Sequence, residues 1–155
     1  MTQRVHRIVA VGDLTADLIF EVPSLPLSIG DFQVSETIHL CPKDFAVISG
    51  DDFTTLPLLA VGGKGTISVT ANIAPANVAG LIDAFEAGDY QKAKKIHYRL
   101  WPLNRAMFLE TNPIPVKTAL SLMKKVSPEL RLPLSPMSEA NRKKLRQVLK
   151  DYKFI

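Results

Sequence analysis

The sequence predicts an α/β protein in which a small sheet comes first and a helical extension follows it. Three observations predict this class. Short apolar runs ending in glycine, typical of buried parallel strands, occur at residues 7–12 and 45–50. Apolar residues recur with helical spacing after residue 75. The composition, 46% hydrophobic and 22% charged, is that of an ordinary globular protein.

The first 40 residues are expected to be mostly extended. RIVAVG reads as a buried strand, and LIFEV reads as a second one between Asp17 and Pro23. QVSETIHL, residues 33–40, puts Val34, Glu36 and Ile38 on one strand face and Ser35, Thr37 and His39 on the other, so the alternation is mixed. That mixture favours an edge or exposed strand over a central one.

From Phe45 the pattern changes to alternating strands and helices. FAVISG predicts a strand, and Asp51 or Asp52 can cap a helix over residues 51–61. Gly62 and Gly63 are expected to end that helix, and GTISVTAN, residues 65–72, predicts the next strand.

The remaining residues predict helices. Pro75 opens one that Gly88 closes, and residues 89–110 form a long helix with a kink at Pro102. Two more helices cover PIPVKTALSLMKKV and the basic C-terminal segment. We divide the chain into segments 1–40, 41–88 and 89–155, which together form one folded unit.

Charge is unevenly distributed along the chain. Residues 1–40 carry two arginines against five acidic residues, so residues 41–155 hold a net charge of +7 within the total of +4. Much of it lies on the last helix, whose Leu145, Val148, Leu149 and Tyr152 share one face. No zinc-finger spacing or aromatic RNA signature accompanies it. The sequence therefore predicts a solvated cationic face, with no nucleic-acid and no membrane partner.

The cysteine count and the N-terminus favour a cytoplasmic protein. Cys41 is the single cysteine, so no internal disulfide can form. The first residues resemble no signal peptide, and no apolar run approaches the roughly 20 residues that span a bilayer.

PKDFAVISGDDFTTLPLLAVGGKGTISVTANIAP, ETNPIPVKTAL and RLPLSPMSE together resemble dihydrodipicolinate synthase, a lyase of the class I aldolase type. The resemblance covers residues 42–155 and implies part of a (β/α)₈ barrel with extra C-terminal helices. FAVISG corresponds to strand seven of that barrel and TISVTAN to strand eight. Active sites of such barrels lie at the C-terminal ends of the strands.

The resemblance also implies that this chain has no catalytic residues of its own. The family's Schiff-base lysine on strand six, its tyrosine and its threonine pair belong upstream of the matching segment. Lys43 and Lys64 do not match the lysine, and Thr54 and Thr55 do not match the threonine pair.

Two positions match the family's pyruvate pocket. Ile67 corresponds to a strand-eight residue whose backbone contacts pyruvate, and Gly50 corresponds to a glycine at the mouth of strand seven. The alternative is an ordinary strand residue and an ordinary strand-to-helix turn. Weak pyruvate binding is what the resemblance implies.

The N-terminal RIVAVGDLTADLIFEVPSLP and GDFQVSETIHL resemble ribokinase-type (PfkB) sugar kinases. Asp17 then corresponds to an aspartate that holds sugar hydroxyls, although that family's Gly-Ala-Gly-Asp motif is absent. GGKG near residue 63 reads as a helix end and not as a phosphate-binding turn. The two resemblances predict a chimera, joined near residues 40–42.

The histidines, the remaining carboxylates and the cysteine predict no metal, acid–base or thiol site. His6, His39 and His97 have no ligand spacing with Cys41 or with carboxylates, so neither a metal nor a cofactor is expected. Asp13 and Asp17 read as surface carboxylates, and Cys41 as an inert thiol.

Three functions follow as hypotheses. The first is a truncated or chimeric relative of the synthase that is non-catalytic alone. The second is a pyruvate-dependent lyase completed by another chain, and the third is a carbohydrate-binding remnant. Because two or three barrel strands cannot close a barrel, we also expect a homodimer.

Overall fold

The computed structural model describes residues 10, 11, 41, 42 and 44–155. The chain divides into two compact units, residues 1–67 and 68–155. The expected strands of residues 12–40 lie outside the described residues. The three-segment division of the sequence analysis stays a prediction. No helix in the described part of the chain is both long enough and apolar enough to cross a membrane.

The first unit contains a parallel sheet of three short strands. They are β1 (Ala10–Val11), β2 (Ile48–Ser49) and β3 (Gly65–Thr66), in the order β1-β2-β3. Ala10 pairs with Ile48, and Ile48 pairs with Gly65. The first apolar run therefore pairs with the FAVISG strand in the two residues that the structure describes there.

A short helical segment connects β2 to β3. Asp51 caps a 3₁₀ turn over Asp52–Thr54, because its carboxylate accepts the Phe53 N–H at 3.1 Å. Helix α1 (Thr55–Ala60) follows and buries Leu58 and Leu59. The predicted helix over residues 51–61 is thus confirmed, except that its first turn is 3₁₀.

The predicted strand over residues 65–72 is too long. β3 ends at Thr66, and Thr70–Asn72 form a second 3₁₀ turn. The Ser68 hydroxyl accepts the Ala71 N–H at 2.8 Å. This local bond gives the backbone a turn in place of a sheet ladder.

The second unit is a set of four α-helices. They are α2 (Pro75–Glu86), α3 (Tyr90–Met107), α4 (Ile114–Leu122) and α5 (Glu139–Asp151). The sequence signals for their ends are confirmed: Pro75 lies at the start of α2, and Gly88 follows it with a φ of 77°. Pro102 lies within α3.

The apolar stripes of these helices bury one another. α2 packs on α3, and α5 packs on both α3 and α4. The hydrophobic residues of this unit with no exposed surface all come from three of these helices. They are Ala93, Leu103, Met107, Ala119, Leu145 and Leu149. The second unit therefore buries these apolar side chains among its own helices, and Val148 and Tyr152 are half-buried.

Candidate functional site at the ends of two strands

Ser49 is the last residue of β2 and the centre of a small hydroxyl cluster. Its side chain is buried, with 1% of the residue exposed. Its Oγ lies 2.8 Å from Thr54 Oγ1, donates to the Asp51 carbonyl oxygen at 2.7 Å and accepts the Asp51 N–H at 3.1 Å. The Thr54 hydroxyl also lies 3.2 Å from the Asp51 carbonyl oxygen, so either hydroxyl can be the donor between Ser49 and Thr54. The cluster fixes the turn around Gly50, which is exposed.

The end of β3 is hydrogen-bonded to the backbone of Ser49. The Ser49 carbonyl oxygen accepts the Ile67 N–H at 2.7 Å and the Thr66 hydroxyl at 3.1 Å. The Ile67 side chain is 65% exposed. The structure therefore brings the two candidate pocket residues, Gly50 and Ile67, to adjacent positions on either side of Ser49. Their role in binding is untested.

The GGKG turn is a helix end. Gly62, with a φ of 107°, donates its N–H to the Leu59 carbonyl, and Gly63 donates to Leu58. The Lys64 N–H reaches the Val47 carbonyl at 2.8 Å. All three amides are satisfied by protein carbonyls, so they do not form a nest for a phosphate.

None of the lysines that the structure describes is buried. Lys64 is exposed, and Lys117 is half-buried while its Nζ donates to the Glu129 carbonyl. Lys43 lies outside the described residues, as do Asp13, Asp17, His6 and His39. The sugar-binding role predicted for Asp17 therefore concerns a residue outside the described part of the chain.

His97 and Cys41 are the two other candidate residues that the structure describes. His97 is buried on α3 with its ring edge towards Tyr98 and Trp101, and burial lowers its pKa. Burial raises the pKa of the Cys41 thiol, which disfavours the reactive thiolate. Within residues 44–155 and the few described before them, no three histidine, cysteine or acidic side chains form a group that could hold a metal ion.

Two sets of polar contacts in the second unit were not predicted from the sequence. The Thr70 hydroxyl donates to Asn104 Oδ1 at 2.8 Å inside the core. Glu110 accepts hydrogen bonds from Ser138 and Asn141 at the start of α5, and these bonds lower the pKa of the Glu110 carboxyl. The partners are 28 to 34 residues apart in sequence, so no local pattern could have paired them.

Comparison with known proteins identifies relatives for this arrangement. The model of the dihydrodipicolinate synthetase family matches residues 7–152. A 4-hydroxy-tetrahydrodipicolinate synthase of Thermodesulfovibrio yellowstonii is 54% identical over 144 residues, which cover 93% of this chain and 45% of that protein. The chain spans less than half the length of this relative.

Solved structures of dihydrodipicolinate synthases also match the fold of this chain. A dihydrodipicolinate synthase from Thermotoga maritima matches with a TM-score of 0.78 and 44% identity, over 79% of this chain and 43% of the other. A structure described as the first monomeric dihydrodipicolinate synthase variant matches with a TM-score of 0.77 and 44% identity, over 79% and 42%.

The family match begins at residue 7, inside the segment for which we expected a sugar-kinase origin. The relatives described above are all synthases. The kinase resemblance, and with it the expected join near residues 40–42, therefore finds no support.

Proposed function

The chain belongs to the dihydrodipicolinate synthetase family, and from that membership we propose that it is non-catalytic alone and carries one edge of a pyruvate pocket. That edge consists of the Gly50 turn and the Ile67 backbone, held together through Ser49. Its ligand is pyruvate, bound weakly. The Schiff-base lysine, the tyrosine and the threonine pair that the resemblance implies have no counterpart in this sequence.

One observation carries the proposal: none of the described lysines is buried. A lysine attacks a carbonyl carbon only as the neutral amine, and burial favours that form by penalising the charged ammonium. Lys64 precedes β3, at the other end of that strand from Ile67, and because it is exposed it lacks this desolvation. The described part of the chain thus offers no suitable nucleophile.

Reductive trapping tests the proposal. The protein is incubated with pyruvate, reduced with borohydride and weighed intact, beside a complete synthase of the family as the positive control. We expect an adduct on the complete enzyme and none on this chain. A stoichiometric adduct at one lysine of this chain would overturn the proposal.

A second candidate is a lyase that another polypeptide completes. It is favoured by the coverage, since 93% of this chain matches only 45% of its relative. The test mixes this chain with a polypeptide carrying the first half of such a relative, followed by the same trapping. We expect an adduct on the added polypeptide only when this chain is present. Equal trapping with and without this chain would exclude the second candidate.

We also propose that the chain forms a homodimer in a cytoplasmic environment. The support is apolar surface: Leu132 is 93% exposed, and Ile67 and Tyr98 are 65% and 62% exposed. Light scattering during size-exclusion chromatography is expected to give twice 17.1 kDa at about 100 μM. The variant Leu132→Ser should weaken the dimer, with Ser127→Ala as the matched surface control. A cooperatively melting monomer would contradict this proposal.

A further inference from the structure

We infer that Ser49 is the positioning residue that holds the Gly50 turn and the Ile67 backbone as one pyruvate-binding edge, an inference that rests on the proposed function. Neither candidate residue can hold itself in place. Gly50 has no side chain and is exposed, and glycine backbones adopt many conformations. Ile67 follows the last residue of β3 and is also exposed.

The backbone of β2 holds the segment around β3 at both of its ends. The Val47 carbonyl accepts the Lys64 N–H at 2.8 Å, and the Ser49 carbonyl accepts the Ile67 N–H at 2.7 Å. The Thr66 hydroxyl adds a third bond, to the same Ser49 carbonyl at 3.1 Å. A displacement of the Ser49 carbonyl therefore displaces Ile67 as well.

The side chain of Ser49 fixes the other half of the edge. Its hydroxyl bridges the Asp51 backbone and the Thr54 hydroxyl, so it spans the turn that contains Gly50. Thr54 is exposed and its hydroxyl reaches Ser49 from outside. Because Ser49 is buried, its hydroxyl has no room to exchange these partners for bulk water. Removing the hydroxyl frees the turn while leaving the carbonyl in place.

The experiment is a pyruvate titration of the ¹⁵N-labelled full chain followed by NMR, with acetate as the control anion. In the wild type we expect saturable shifts of the Gly50 and Ile67 amides with pyruvate and not with acetate. Ser49→Ala and Thr54→Val should weaken the binding of pyruvate by roughly fivefold or more, the equivalent of about one hydrogen bond. Thr54→Ser restores the hydroxyl and should keep wild-type affinity, as should Ser127→Ala, a serine of the other unit.

Each outcome decides the inference. Wild-type affinity in Ser49→Ala and Thr54→Val overturns it, and so does a wild type whose Gly50 and Ile67 amides do not respond to pyruvate. If Ser49→Ala loses its folded spectrum, the exposed Thr54→Val and Thr54→Ser pair decides alone. Trapping by borohydride is a separate readout, so an adduct would overturn the proposed lack of chemistry without bearing on Ser49.

Discussion

Replacing Thr70 by valine removes the donor of a hydrogen bond inside the second unit. The Thr70 hydroxyl donates to Asn104 Oδ1 at 2.8 Å, and the two residues are 0% and 2% exposed. The bond connects the 3₁₀ turn at Thr70–Asn72 to α3, across 34 positions of sequence. Valine matches threonine in shape, so the change leaves no cavity of consequence and tests the polar contact alone.

The expected loss in the free energy of unfolding exceeds the contribution of one hydrogen bond. A typical intramolecular hydrogen bond contributes about 1 kcal/mol, but a buried acceptor left without its donor costs about 1–3 kcal/mol. Asn104 is too buried to recover a water partner readily. We therefore expect Thr70→Val to lower the free energy of unfolding of the second unit by about 2 kcal/mol.

Urea unfolding followed by the fluorescence of Trp101 measures this cost. Trp101 is the single tryptophan and lies on α3, the helix that carries Asn104. With a slope of about 2 kcal/mol per molar urea, the midpoint should fall by about 1 M. Thr70→Ser keeps the hydroxyl and is the matched control, and Thr70→Val combined with Asn104→Leu should recover much of the loss. A Thr70→Val midpoint equal to that of Thr70→Ser would refute the reasoning.

Two further changes have expected outcomes. At Gly63 an added Cβ would lie 2.4 Å from Leu58 Cγ and 2.9 Å from the Leu58 carbonyl oxygen, so Gly63→Ala should destabilise the first unit by about 1–3 kcal/mol. A Cβ added at Gly80 in α2 would meet its nearest atom, Ile96 Cδ1 of α3, at 4.0 Å, so Gly80→Ala should be neutral or stabilising. Amide hydrogen exchange compares each variant with the wild type, and unchanged protection in Gly63→Ala would contradict the clash. Burial lowers the pKa of His97 below the usual 6.5. As the pH falls, His97 is therefore protonated in the unfolded chain at a higher pH than in the folded chain. The free energy of unfolding should therefore fall below about pH 6.5 relative to His97→Phe, and urea curves that keep a constant difference from pH 7.5 to 5.5 would contradict this.

Helix ends could be predicted from the sequence because their signals are local. Asp89 accepts the Lys92 N–H at 3.0 Å at the start of α3, and Gly88 takes the positive φ that closes the preceding helix. Strand lengths could not be predicted in the same way. The turn that stops β3 depends on one hydroxyl, that of Ser68, within a run that otherwise reads as a strand.

The candidate site was only partly predictable. Gly50 and Ile67 came from the family resemblance, and the structure brings them together. Ser49 was not identified, because its importance depends on a carbonyl that accepts from Thr66 and Ile67, 17 and 18 residues further on. Such a contact has no period or spacing in the sequence. The signal that was available is chemical: a serine at the end of an otherwise apolar strand needs a partner when buried.

The two units differ in the size of their buried cores. The second unit buries Leu103, Met107, Leu145 and Leu149 completely among its own helices. The first unit carries the candidate edge on strands of two residues each, and its described core is small, with Val47, Leu58 and Leu59. Since packing of apolar faces supplies most helical stability, we expect the second unit to be the more stable of the two, while the strand ends around Ser49 depend on a few hydrogen bonds. Local opening at these strand ends should therefore precede the unfolding of residues 68–155.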